Sequence, residues 1–216
     1  MNETDFKNPY RPLEEIVLFR PMSEMIARWL KDSKLTPNTV SAIGFLCSLI
    51  AAYFIAHTDG SVMSRVFVIF MLYLTFLFDK VDGDLARIKR MASPYGTYFD
   101  SFLDRVGEIA LFAAILLSGV TAPPLLVGIT FAAPLLFYYH QVAVEAYIVR
   151  PTYANSRALS FYLKDLISYN RVKHIILLMI LVAAGATDLA FYLFPFVFLL
   201  PLAIFLKKSV IHSLRQ

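Results

Sequence analysis

Residues 79–104 read DKVDGDLARIKRMASPYGTYFDSFLD, directly after the apolar run from Val66 to Phe78. That run has thirteen residues, and a helix needs roughly 20 to cross a bilayer. The helix therefore has to continue through the acidic stretch, to about Arg90. An ionised carboxylate at mid-membrane costs about 2.5–3.5 kcal/mol on the gentler insertion scale. A chain that places Asp79, Asp82, Asp84, Asp100 and Asp104 at a membrane edge needs something that offsets several such costs at once.

The rest of the chain supports a membrane setting. Of its 216 residues 58% are hydrophobic and 17% charged, against about 45–50% apolar in a soluble domain. The predicted architecture is all-α and integral to the membrane. A segment over 1–35 ends in a short interfacial helix, and a six-helix transmembrane domain occupies 36–216. The predicted spans are about 37–57, 62–90, 96–118, 123–149, 172–186 and 189–206. Thr36 is placed to cap the first, and Pro37 suits its first turn. Over 21–33, Met22, Met25, Ile26, Trp29 and Leu30 share one helical face, with Trp29 as an interfacial anchor. Packing of this helix on the protein's own cytoplasmic face is the competing expectation.

Loop charge sets the orientation. The 57–65 loop has one basic residue, Arg65, and the 118–123 and 186–189 loops have none. Arg28, Lys31, Lys34, Lys89, Arg90, Arg150, Arg157, Lys164, Lys207 and Lys208 fall on the other side. The positive-inside rule puts both termini and the acidic stretch in the cytoplasm. The net charge of +4 is spread along the chain, which argues against a nucleic-acid partner. The single cysteine, Cys47, excludes an internal disulfide.

At 100° per residue, Asp79, Asp82, Gly83, Ala86 and Arg90 fall on one stripe, with Arg87 beside it. Asp84 points about 140° away from Asp79 and is expected to be solvated or ion-paired. On the next helix Asp100 and Asp104 are one turn apart, and Glu108 continues the row. The short loop between the helices would bring the two acidic faces together. Six of the sixteen acidic residues lie between 79 and 108, which makes a chance scatter of snorkelling side chains a poor account. Four converging carboxylates with no Cys or His beside them select hard cations, two Mg²⁺ or Mn²⁺. Gly83 and Ala86 leave a groove for a phosphate-bearing group, and Arg87 is within reach of its phosphates. The pattern points to a metal-bound pyrophosphate at the cytoplasmic membrane edge.

The spacing D-x2-D-G-x2-A-R-x8-G-x3-D-x3-D, filled by Asp79, Asp82, Gly83, Ala86, Arg87, Gly96, Asp100 and Asp104, resembles the signature of the CDP-alcohol phosphotransferases. The LTPN stretch leading into the first span and the six-span layout are similar too. The resemblance implies that the four Asp surround a two-metal centre holding the pyrophosphate of a CDP-linked lipid donor. It implies that Asp79, Gly83, Ala86 and Arg87 face the nucleotide. It makes Asp104 the base that takes the proton of a small polar alcohol, whose hydroxyl attacks the β-phosphate and releases CMP. The resemblance also favours a homodimer and a role in phospholipid biosynthesis.

Family members that use choline or ethanolamine resemble FDHG around the last two acids, and the glycerol-phosphate group tends to DPxADK. The Asp104-Arg105 pair here is more like the inositol-using branch. A phosphorylated acceptor such as inositol phosphate would need a cationic pocket, for which Arg105, Arg150, Arg157 and Lys164 are the candidates, with Arg171 and Lys173 nearby. His140 and Glu145 are further candidates for the cavity wall. Two other classes compete. A membrane aspartate-rich prenyltransferase would share the acidic pairs but has no need of the Gly83–Ala86–Arg87 groove. A cation transporter would draw acids from both halves of the chain, and the second half offers only Glu145, Asp165 and Asp188 within it.

Overall fold

The computed structural model describes residues 17–57, 60–132 and 171–196, and these are helices and their connections, with no strand among them. The helices are α1 Arg20–Leu30, α2 Pro37–His57, α3 Val62–Ile88, α4 Pro94–Leu117 and α5 Arg171–Ala184. Residues 124–132 are also helical, and a 3-10 turn, Thr187–Leu189, leads into helix over 190–196. Most of the fourth and sixth predicted spans lies outside the described residues. By length and apolarity α2 and α3 are each able to cross a membrane.

The ends of these helices are written locally. Thr36 Oγ1 accepts from the Thr39 amide at 3.2 Å, with Pro37 opening α2. Ser61 caps α3 through the Ser64 amide, and Ser93 caps α4 through the Gly96 amide. At the end of α3 the chain turns on Arg90, at φ 56°, and the Met91 amide donates to the Ala86 carbonyl at 2.9 Å. Lys89 Nζ donates to the Ser33 and Leu35 carbonyls, 2.7 Å each. The α1–α2 connection is thereby tied to the end of the acid-bearing helix.

Helix α2 packs against both α3 and α4, which approach each other less closely than either approaches α2. The expectation that the short loop alone joins the two acidic faces is therefore incomplete, because α2 mediates the contact. Small side chains permit this, as they do between membrane helices generally, where close backbone approach rather than apolar burial drives association. A Cβ at Gly44 would lie 3.1 Å from Phe78 Cβ and 3.3 Å from the Thr75 carbonyl oxygen. A Cβ at Gly107 would lie 2.7 Å from Ser48 Oγ. Gly107→Ala is accordingly expected to destabilise the protein by about 1–3 kcal/mol, the usual cost of overpacking. A thermal unfolding scan in detergent measures it. Adding Ser48→Ala should recover most of the loss, and no recovery would show that the contact is not the cause.

Helix α1 packs on α3, and only part of its apolar row takes part in the contact. Ile26 and Leu30 pack against the core, while Met22, Met25 and Trp29 face outward, Trp29 being 75% exposed. The buried positions are Arg20, Ser23 and Ala27. The reason is electrostatic. Asp84 of α3 is fully buried, and a buried carboxylate requires charged or hydrogen-bonding partners. Arg20 and Ser23 supply them, and that requirement sets the rotation of α1.

Candidate functional site

The C-terminal residues of α3 and the first turns of α4 meet beside the N-terminal half of α2. One carboxylate oxygen from each of Asp79, Asp100 and Asp104 lies within 4.8 Å of the others, and all three residues are half-buried. Asp82 is set deeper, 5% exposed, and its carboxyl faces those of Asp79 and Asp100. Ser41 of α2 donates a short hydrogen bond to Asp82. A crevice runs between these acids and α2, lined by Ser41, Gly44, Ser48, Thr75 and Leu103 together with Asp79, Asp100 and Asp104. Lys80 Nζ lies 2.9 Å from Asp79 Oδ2 and 4.7 Å above the Phe76 ring centre.

Crowded carboxylates repel one another unless a cation sits among them. The donor set is all oxygen, drawn from two helices and steadied from a third. That fits a hard divalent ion such as Mg²⁺ or Mn²⁺, whose ligands are carboxylates and water. The hydrogen bond from Ser41 is the kind of outer contact that fixes a ligating carboxylate's orientation.

Gly83 and Ala86 follow on the same helix. A Cβ at Gly83 would meet only the Arg87 guanidinium, at 3.6 Å from Nη1 and 3.7 Å from Nη2. Among the described residues, this position of α3 is covered by the arginine head group alone. Arg87 Nη2 donates to Asp84 Oδ1 at 2.5 Å. Asp84 is thus ion-paired, one of the two outcomes expected for it, but within the protein and not in solvent. Arg105 is also engaged, its Nη1 lying 2.9 Å from Glu108 Oε2. Glu108, expected to extend the acidic row, is held by this pair one turn away. Arg150, Arg157, Lys164, His140 and Glu145 lie outside the described residues, and the Arg171 and Lys173 side chains are not described either.

Two contributions were not anticipated. Ser41, Gly44 and Ser48 of α2 form one wall of the crevice, and their i, i+3, i+7 spacing of small residues inside an apolar run was the available signal. The second is Arg20, which contacts α3 from 64 residues away in sequence and carries no local signature.

Comparison with known proteins agrees with this geometry. The family model for CDP-alcohol phosphatidyltransferase matches residues 34–205. The archaetidylinositol phosphate synthase of Pyrococcus horikoshii is 30% identical over 97 residues, 45% of this chain and 49% of that protein. The phosphatidylinositol phosphate synthase of Mycobacteroides abscessus is 29% identical over 97 residues, 45% and 42% of the two chains. The chain thus aligns with about half the length of these curated relatives or less. The crystal structure of Mycobacterium tuberculosis phosphatidylinositol phosphate synthase with CDP-DAG bound superposes with a TM-score of 0.60 at 18% identity. It covers 84% of this chain and 89% of that one, a likeness of fold. A second structure of that protein, in complex with manganese and citrate, gives 0.59 over 83% of this chain. The family match runs through the acidic stretch and over most of the sequence, from 34 to 205, and with it this membrane protein belongs to the CDP-alcohol phosphatidyltransferase family.

Proposed function

We propose that the protein transfers a substituted phosphate group from a CDP-linked lipid to the hydroxyl of a small polar alcohol of the inositol phosphate type, releasing CMP. The observation that carries this reading is the convergence of Asp79, Asp100 and Asp104 within 4.8 Å inside the matched family region. The names of the relatives support an inositol phosphate acceptor. The CDP-DAG in the similar crystal structure supports a CDP-lipid donor. The further parts of the reading are six spans, a cytoplasmic site, an interfacial α1 and a homodimer. The exposed Met22, Met25 and Trp29 on α1 support its seat at the membrane surface.

In this reading Asp79, Asp82, Asp100 and Asp104 hold two divalent ions, Mg²⁺ or Mn²⁺, and the similar structure in complex with manganese supports such an ion. Such ions neutralise charge on the pyrophosphate and on the leaving oxygen. Ser41 keeps the Asp82 carboxyl turned toward the cluster. Gly83 and Ala86 leave room for the nucleotide, and Arg87 donates to its phosphates. Asp104 takes the proton from the acceptor hydroxyl as the oxygen attacks the β-phosphorus, and the bond to the CMP oxygen breaks. Arg105, with Arg150, Arg157 and Lys164 of the cytoplasmic segment, receives the acceptor's phosphate.

The test is CMP release by the purified protein with a panel of CDP-donors and acceptor alcohols, read together with product masses. Inositol phosphate with a CDP-lipid should give CMP and a phosphorylated inositol lipid in equal amounts. No CMP from any pair would overturn the reading. A further expectation is steric. Gly83→Leu places a branched side chain under the Arg87 head group and should raise the donor KM by about tenfold or more. Unchanged donor KM in a folded Gly83→Leu protein would place the nucleotide elsewhere.

A further inference from the structure

Arg87 is the residue of the site whose geometry depends on a helix outside it. One edge of its guanidinium is spent on Asp84, at 2.5 Å from Nη2 to Oδ1. The head group lies over Gly83, with Nη1 3.6 Å and Nη2 3.7 Å from where a Cβ would be, and Nη1 makes no hydrogen bond with Asp84. Its side chain is 44% exposed, while that of Asp84 is fully buried. Among the described residues its remaining N–H groups meet no acceptor. A guanidinium carries five donors in a fixed fork, so anchoring one edge points the other in a defined direction.

Asp84 is itself anchored from α1. Arg20 Nη1 donates to both of its oxygens, at 2.5 and 2.6 Å, and Ser23 Oγ donates to Oδ2 at 2.9 Å. Arg20, 8% exposed, also lies 3.7 Å from Glu24 Oε1. Two guanidinium groups and two carboxylates therefore balance in charge around one buried oxygen pair. Asp84 projects from α3 about 140° from Asp79, so it does not join the acid cluster. Without it, Arg87 is a long side chain at a helix end with several accessible rotamers, and holding it in one costs entropy on every donor-binding event.

We infer that Asp84 is a positioning residue for Arg87, fixed in turn by Arg20 and Ser23, so that the seating of α1 on α3 sets the affinity for the anionic phosphates of the donor. The inference rests on the reading in which Arg87 donates to those phosphates. Asp84 touches neither substrate nor metal in it. Its effect is confined to donor binding and passes through a single side chain.

The experiment uses the full chain in lipid nanodiscs and measures donor KM, kcat for CMP release and equilibrium binding of CDP. Asp84→Asn should raise the donor KM and weaken CDP binding by about tenfold, the scale of a lost charge-assisted contact. It should leave kcat within about twofold, because the chemical step is not touched. In an Arg87→Ala background the same substitution should add no more than about twofold, since two residues acting as a unit are not additive. Arg20→Lys, which keeps the charge but loses the fork, should show a smaller shift in the same sense, also erased by Arg87→Ala. It provides the same reading should Asp84→Asn not fold. Additive effects with Arg87→Ala, or a fall in kcat at unchanged donor KM, would overturn the inference and leave the proposed reaction standing. An Arg87→Ala protein with unchanged donor KM and CDP affinity would overturn the role given to Arg87, and this inference with it.

Discussion

Asp79→Asn and Asp82→Asn are each expected to lower CMP release by at least about 10²–10³-fold, the scale of losing one preorganised electrostatic contact at a reacting group, and to weaken divalent-ion binding. Asn is nearly isosteric with Asp, so packing between α2 and α3 should survive. What is lost is one negative charge among crowded carboxylates. The amide also offers a hydrogen-bond donor where a cation is to sit. The two variants should differ in stability. Asp79 is half-buried beside Lys80, and its replacement removes an ion pair at the crevice edge. Asp82 is 5% exposed and accepts from Ser41. Its neutralisation relieves repulsion from Asp79 and Asp100 when no metal is present, so Asp82→Asn should unfold at an equal or higher temperature than the parent in a chelating buffer. In saturating Mg²⁺ or Mn²⁺ the order should reverse, because the parent gains binding energy that the variant cannot. Thermal scans with and without metal, beside titration of the ion, measure both effects. Near-normal turnover in both variants would remove the acid cluster from the reaction.

How much of this was legible in the sequence depends on whether the signal was local. The boundaries of α2, α3 and α4 fell within a few residues of expectation because their caps are written beside them, as Thr36-Pro37, Ser61 and Ser93-Pro94. The gathering of Asp79, Asp82, Asp100 and Asp104 was legible because their helical phase is a property of spacing alone. The wall formed by Ser41, Gly44 and Ser48 was not. In an apolar run a small residue facing a neighbouring helix looks the same as one facing lipid, and only the close approach to Thr75, Phe78 and Gly107 separates the two. The inward face of α1 was illegible for a different reason. Periodicity marked Met22, Met25 and Trp29 as one apolar face, but the need of Asp84, far along the chain, for Arg20 and Ser23 has no local signature. A buried carboxylate without partners costs more than leaving those apolar side chains outside, so the electrostatic requirement prevails. Arg105 and Glu108 are an i, i+3 pair of a kind that helices form readily.

Asp100 and Asp104 stand one turn apart on α4, and their asparagine variants should fail differently. Both contribute to the cluster whose oxygens lie within 4.8 Å. Asp100 also faces Asp82 directly, which puts it between the two acids of α3 and makes it chiefly a holder of charge. Asp104 lies deeper along α4, beside Leu103 in the crevice and next to Arg105, a candidate for the acceptor's phosphate. A base has to lie within hydrogen-bond reach of the hydroxyl it deprotonates, and its removal costs about 10²–10⁴-fold in rate. Asp104→Asn should therefore lower kcat by about that factor while CDP-donor affinity and binding of at least one divalent ion persist. Asp100→Asn should lose ion affinity along with activity, and with it the ion-dependent part of donor binding. Isothermal titration of ion and donor on each variant, alongside the rate of CMP release, separates the two roles. Normal turnover by Asp104→Asn would dismiss it as the base, and equal, complete loss of ion binding in both variants would make the two acids ligands of one kind.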